Sequence, residues 1–346
     1  MLNRSPALVV IYILSTCLSC ARADAVDLYI KDLKDKDEKI RARAAYELGN
    51  RGPDARKAIP ALLDVIKDPN EEVKQNAIYA LGAIGHEGKE AVPALIEAMQ
   101  KEKELKTRLF AATALGKIGP DKDGKSLQAL VAALKDKDVG AYAADALGKF
   151  GPDGKDAIPA LRAALASPDT QKAAAAALAE MGKLALKELR DALEDKDEEV
   201  RVFATIALGR IGKDAVPDLA KTLRDKSADV RRQAIAHLAN IGKDAKEAIP
   251  AIVDMLKTDK ELTLRIRAAQ ALAGMGPLAK DAVDTLATTL ADEKDNNLRV
   301  AAAGALGAIG PAAKDAIPAL KKAAEDNEED VAIAAKMALK LVEAKK

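Results

Sequence analysis

The string Gly119, Pro120, Asp121, Lys122, Asp123, Gly124, Lys125, Ser126 has the spacing of a phosphate-binding loop, in which backbone N–H groups and a helix N-terminus converge on a phosphate. That geometry needs a preceding strand. The residues before Gly119 carry a helical pattern instead, and the segment aligns with plain turns at Gly151 to Asp156 and Gly310 to Asp315. Asp121 and Asp123 would also repel a phosphate, so the string reads as a turn. Histidine is scarce: His86 lies in a glycine-rich turn beside Glu87, and His237 fills a slot that is mostly alanine in comparable segments. No serine stands in a recognisable nucleophile context, so a Ser-His-Asp set cannot be assembled. The acidic clusters Asp35, Asp37, Glu38 and Asp195, Asp197, Glu198, Glu199 offer oxygens of the kind calcium takes. They lack the fixed glycine and distal glutamate of a calcium loop, and lysines interrupt them. Solvated helix starts, where negative charge suits the helix dipole, explain them better. The expectation is no catalytic residue, no metal and no cofactor.

The elements that carry these residues follow a periodicity. Leu48, Leu81, Leu115, Leu147, Leu178, Leu208, Leu238, Leu272, Leu306 and Leu339 each close a short helical pattern, at intervals of 30 to 34 residues. Such a period holds two short helices with their turns. A unit this small cannot enclose a core, whereas stacked units bury a continuous one. In the unit around Leu208, Val200, Ala204, Ala207 or Leu208, and Ile211 recur three or four apart and so share one helical face. Gly209 and Gly212 then break the helix, and Pro217 starts the next, a slot that Pro60, Pro93, Pro159, Pro250 and Pro318 fill elsewhere.

Four residues before each repeat leucine stands an alanine, from Ala44 to Ala335, which lets neighbouring helices approach closely. Seven residues before it stands a base in seven units: Arg41, Lys74, Arg108, Arg201, Arg231, Arg265 and Arg299. An aspartate precedes it in the turn in several, as Asp35, Asp68, Asp195, Asp225 and Asp259. Fixed offsets between Asp and Arg suggest a hydrogen-bonded ladder along the array.

The first 23 residues differ from the rest: Arg4 gives a positive start, an apolar run extends from Ala7 to Leu18, and Ala21, Arg22, Ala23 close it. This reads as a cleaved bacterial export signal. Its apolar run is shorter than the ~20 residues a membrane-crossing helix needs. The protein is thus expected in the periplasm or outside the cell, with residues 24 to 346 as one repeat domain. A competing reading makes Cys17 or Cys20 a lipid attachment point. Both cysteines lie in this segment, so the remainder relies on packing rather than on disulfides. Without Arg4 and Arg22 the 55 basic residues become 53 against 54 acidic ones, a net charge near −1. That balance argues against nucleic acid or anionic lipid as the main partner.

The motif of turn Asp, Val-Arg, Ala, Ala-Leu-Gly, Ile-Gly and Ala-Ile-Pro-Ala-Leu, almost whole from Asp225 to Gly242 and Ala248 to Ile252, resembles the HEAT repeat family, in particular its short subclass named after the phycobilisome lyases. The resemblance extends over residues 24 to 346. It implies an all-α fold, an α-solenoid forming a right-handed superhelix of about ten antiparallel helix pairs, with a concave surface that binds other proteins. Gly140 and Gln171 depart from the pattern where Arg is expected, so curvature over residues 140 to 210 does not follow from the analogy. Iron hydroxylases built from similar repeats hold two metals with several His-Glu pairs, and this chain offers one.

Seven aromatic residues lie outside the export segment. Tyr46 and Tyr79 stand two before the repeat leucine, and Phe110, Tyr142 and Phe203 five before it, on one helical face that points away from the inward series. In the frame the resemblance implies, these five project into or border the concave surface, with Arg43, Lys117, Lys149 and Arg210 nearby. Aromatics with cations are typical of protein-binding centres. The competing reading is that the rings fill gaps between helices. The expected function is a non-catalytic, exported scaffold, monomeric and without a membrane span, that binds a protein or peptide. An accessory subunit or lyase-like enzyme, as the subclass implies, and a structural envelope lipoprotein are the alternatives.

Overall fold

The computed structural model describes residues 25–344. The export segment over 1–23, with Cys17 and Cys20, lies outside the described residues. All regular elements are helical, and no strand occurs among the described residues. No helix there is long and apolar enough to cross a membrane. The chain divides into two compact units, up to Ala177 and from Leu178. The division falls inside one helix, in the stretch where Gly140 and Gln171 replace the repeat arginine.

In the first unit, after a helix over 25–32 (α1), long helices α2 (Glu38–Asn50), α4 (Glu71–Ile84), α6 (Leu105–Ile118) and α8 (Gly140–Lys149) alternate with shorter α3 (Ile59–Val65), α5 (Val92–Lys101), α7 (Lys125–Ala133) and α9 (Ile158–Ala164). Long helices pack on long ones, α2 on α4, α4 on α6 and α6 on α8, while α3, α5 and α7 each pack on the long helix that follows. The division lies in α10 (Gln171–Glu180). In the second unit α12 (Glu198–Ile211), α14 (Ala228–Ile241), α16 (Leu262–Met275), α18 (Asn296–Ile309) and α20 (Glu329–Val342) stack in the same order, interleaved with α11 (Leu186–Leu193), α13 (Val216–Thr222), α15 (Ile249–Thr258), α17 (Val283–Asp292) and α19 (Ile317–Ala323). Each unit is an α-solenoid of stacked helix pairs.

Local chemistry sets this alternation. Asn70 caps α4 by accepting the N–H groups of Glu72 and Val73, at 3.0 and 3.2 Å. Asp37 and Asp197 do the same for α2 and α12, so these members of the acidic clusters serve as helix starts. At the other end Gly85 stops α4 with φ at 71°, a region that a Cβ disfavours. Where the sequence suggests a plain turn, the structure has a short 3-10 helix, Gly85–Ala91, before Pro93 opens α5. These connectors tuck small residues inward, as Ala55 and Ala58 do in Gly52–Ala58, and so add a packed third element to most repeats, the link between α6 and α7 excepted.

The repeat leucines from Leu48 to Leu306 are sealed from solvent, as are all ten repeat alanines from Ala44 to Ala335. A further close contact runs through the glycine after the leucine. A methyl group on Gly82 would sit 2.8 Å from Cα of Ala114, and one on Gly116 equally near Ala146. The Leu-Gly pair therefore lets the next long helix lie against bare backbone, an approach that adds dispersion contacts along the stack. On α20 that slot holds exposed Lys340, and Leu339 is only half-buried.

Candidate protein-binding face

The repeat bases form rungs between successive turns. Arg41 donates to both carboxylate oxygens of Asp68, at 2.7 and 3.0 Å, and to the carbonyls of Asp35 and Lys36. Arg201 treats Asp225, Asp195 and Lys196 in the same way. Arg41 and Arg201 thus reach the carboxylate of the following turn and only the backbone of their own. Asp35 and Asp195 take part through their carbonyls rather than as the carboxylate partners that the offsets suggest. Lys74 pairs with Glu102 at 2.9 Å, Arg108 with Asp136, Arg265 with Glu293 and Arg299 with Asp326, four acids that the offset pattern does not pick out. Where the short helix is ten residues long, as in α5, α15 and α17, its own carbonyl at Met99, Leu256 or Leu290 receives the Nε–H of Arg108, Arg265 or Arg299. The extra turn brings that carbonyl within reach. The Arg41 guanidinium holds the Asp68 carboxyl below the usual carboxylate range. These residues hold successive repeats together and are already paired; a cavity of about 450 Å³ beside Arg265 and Glu293 is walled by such a pair.

The phosphate-loop string folds as a helix start. Asp121 accepts both the N–H and the Oγ–H of Ser126, each at 2.7 Å, and the N–H of Lys125 at 3.2 Å. Its carboxylate occupies the donors that a phosphate would need. His86 is exposed in the Gly85–Ala91 turn, and His237 is half-buried against Gly209. Burial, helped by the charge of Arg210, lowers the His237 pKa. No group of three or more histidine, aspartate or glutamate side chains among the described residues is placed to hold a metal.

Four predicted binding residues converge in the first unit. The helices α4, α6 and α8 place Tyr79, Phe110 and Tyr142 around a cavity of about 270 Å³, with Leu109 on its wall, Gly82 beside it and Lys117 at its edge. The Tyr79 ring lies flat across α2 because Gly49 has no side chain; a methyl there would be 2.4 Å from the ring. Tyr46 stacks on Tyr79 with ring centres 6.0 Å apart and planes at 22°. Two ammonium groups sit over rings, Lys117 over Tyr79 and Lys106 over Phe110, each 5.5 Å from the ring centre. Tyr46 and Tyr142 are exposed, while Tyr79 and Phe110 are half-buried, partly filling the spaces between helices and partly lining the cavity.

The remaining predicted residues are placed differently. Arg43 is exposed on α2, one turn before Tyr46. Lys149 on α8 is bound to Asp145 at 2.5 Å, which engages its charge within its own helix. Phe203 and Arg210 belong to the second unit, half-buried and exposed respectively. Lys106 and Leu109 complete the site without having been marked by the aromatic pattern. Their signal is positional: they precede Phe110 by four residues and by one on the same helix.

A model of HEAT repeats matches the chain over residues 26–106, 59–141, 92–182, 158–240, 186–273 and 249–340. No curated protein matches it in sequence. Among solved structures, Kap121p is 14% identical over 92% of this chain and 41% of its own, with a TM-score of 0.62. Importin beta is 17% identical over 98% of this chain and 54% of its own, with a TM-score of 0.51. Kap121p bound to Nup53p gives 15% identity, 93% and 41% coverage, and a TM-score of 0.58. The chain spans about two fifths of Kap121p and about half of importin beta, and at such identities the likeness is one of fold. With overlapping repeat matches running from residue 26 to residue 340 of a chain stacked as helix pairs, the protein belongs to the HEAT repeat family.

Proposed function

We propose that this protein is an exported, non-catalytic scaffold that binds a segment of a protein partner on the aromatic face of its first unit. The observation that carries the reading is the cavity between α4, α6 and α8, where Tyr79, Phe110 and Tyr142 meet over small residues and two lysines cover the rings. Aromatic anchors around a pocket are the usual centre of a protein interface. A surface already built by rigid helices binds with little further ordering, which favours affinity. The family is typically one of protein-binding scaffolds, and Kap121p, which shares the fold, has been solved bound to Nup53p. Export rests on the positive start and apolar run of residues 1–23.

The test is capture from the native envelope fraction on immobilised protein. Replacing Tyr79 and Phe110 together by Ala should abolish retention of the partner while the helical circular dichroism is kept. Equal retention by the double variant overturns the proposal.

A further inference from the structure

Resting on that reading, we infer that the partner segment is an extended peptide with one large apolar side chain bracketed by carboxylates. Three observations in the first unit carry it. The cavity, at about 270 Å³, lies below the roughly 300–1,000 Å³ of pockets that bury a whole small ligand, and its size suits a single anchoring side chain. Its walls are apolar, from Tyr79, Leu109, Phe110 and Ala114, and no carboxylate lines it. Its charges are Lys106 and Lys117, both exposed, and neither is joined to a carboxylate among the described residues, in contrast to Lys74 with Glu102 and Lys149 with Asp145.

The two lysines stand eleven positions apart on α6, so their Cα atoms are separated by up to about 16 Å along the helix axis. An extended chain covers that distance in about five residues. An anchor in the cavity thus places the residues two or three positions to either side within reach of an ammonium group. Carboxylates there would exchange water for a charged partner at the rim, which favours acidic over neutral or basic flanks. Lysine flanks would meet like charge at both edges.

Fluorescence polarisation with three synthetic peptides tests this on the full protein. All carry a central phenylalanine, and they differ only in having aspartate, serine or lysine two and three residues to each side. The aspartate peptide should bind about three- to tenfold more tightly than the serine peptide, the scale of two exposed ion pairs, and the advantage should shrink as salt rises. In the variant Lys106→Glu with Lys117→Glu the preference should reverse toward the lysine peptide. Both substitutions are at exposed positions, and circular dichroism checks that the helices remain. Equal binding of the aspartate and serine peptides, or an unchanged order in the charge-reversed variant, overturns the inference. Loss of partner capture in the Tyr79 and Phe110 double variant alongside that result would leave the docking face standing. Selective peptide binding with partner capture intact would instead remove the docking reading for the native partner.

Discussion

Arg231 donates to both oxygens of the Asp259 carboxylate, at 2.7 and 2.9 Å, and one of those oxygens also accepts the N–H of Glu261 at 2.9 Å. One acid thus closes its own turn and receives the guanidinium of the repeat before. The two side chains are 13% and 3% exposed, so little water competes for either. Local turn geometry and the stacking of neighbouring repeats are therefore coupled through a single group, and the same arrangement recurs at Arg41 with Asp68, where Asn70 supplies the N–H.

Removing one partner of this pair leaves the other stranded. Arg231→Met should destabilise the protein by about 3 kcal/mol, because the Asp259 carboxylate would remain buried without its counter-charge. The combined change Arg231→Met with Asp259→Leu should cost less, since neither charge then needs solvation. Urea denaturation of the wild type, the single and the double variant measures this. A double variant weaker than the single one by the full cost of a second lesion would refute the coupling.

The same carboxylates make stability fall in acid. Burial alone would raise the Asp259 pKa, but the Arg231 hydrogen bond and the Glu261 N–H outweigh it and hold the group below its ordinary value. Asp68 is shifted the same way, chiefly by its hydrogen bond to Arg41. A lowered folded-state pKa contributes stability that is present above the unfolded value, about 3.9, and is lost as pH falls through the folded one. The contribution of these pairs to the melting temperature should therefore be level down to about pH 4 and be lost below it, and Asp259→Asn should flatten that acid limb. An unchanged acid limb in the variant would exclude this group as a contributor.

The rungs show how far the sequence reaches. The bases are legible because they hold one offset from the repeat leucine, as Arg41 and Arg231 do. Their partners are not, since they lie 24 to 28 residues further on in turns of varying length, and the slot accepts Asp68, Glu102 or Glu293 alike. Likewise the rings of Tyr79, Phe110 and Tyr142 are visible as aromatic positions on one helical face. The cavity they enclose depends on the lateral spacing of α4, α6 and α8, which contacts such as Gly82 against Ala114 and Gly116 against Ala146 set. Periodicity within a helix is written in its residues; contact between helices depends on a sum of small approaches. Phe203 shares the offset of Phe110, but it stands in the other unit.

That spacing makes two glycines opposite in effect. Gly82→Ala would place a methyl 2.8 Å from Cα of Ala114, so α6 would have to move, at a cost of about 1–3 kcal/mol. Gly304, within α18, has nothing within 4 Å of where a methyl would go. Gly304→Ala should therefore stabilise by about 0.5–1 kcal/mol through the restricted unfolded chain and better helix propensity. Chemical denaturation of the two variants should move the midpoint in opposite directions. Matching shifts would show that close approach at Gly82 does not govern packing there.

His237 occupies the slot that Ala114 and Ala146 fill in other repeats, and its ring presses on Gly209, where a methyl would come within 2.1 Å. Burial lowers its pKa, and the positive charge of Arg210 adds to the shift. The folded protein thus keeps the ring neutral at a pH where the unfolded chain already takes up a proton. For a base lowered in this way, stability is complete above the unfolded value, about 6.5, and declines as pH falls through it toward the folded value. Between about pH 7.5 and pH 5.5 the wild type should lose melting temperature, whereas His237→Ala should lose less. Arg210→Ala should raise the His237 midpoint in an NMR titration by removing the second cause. A wild-type midpoint at or above the unfolded value would sink the assignment, because neither burial nor a neighbouring cation can produce it.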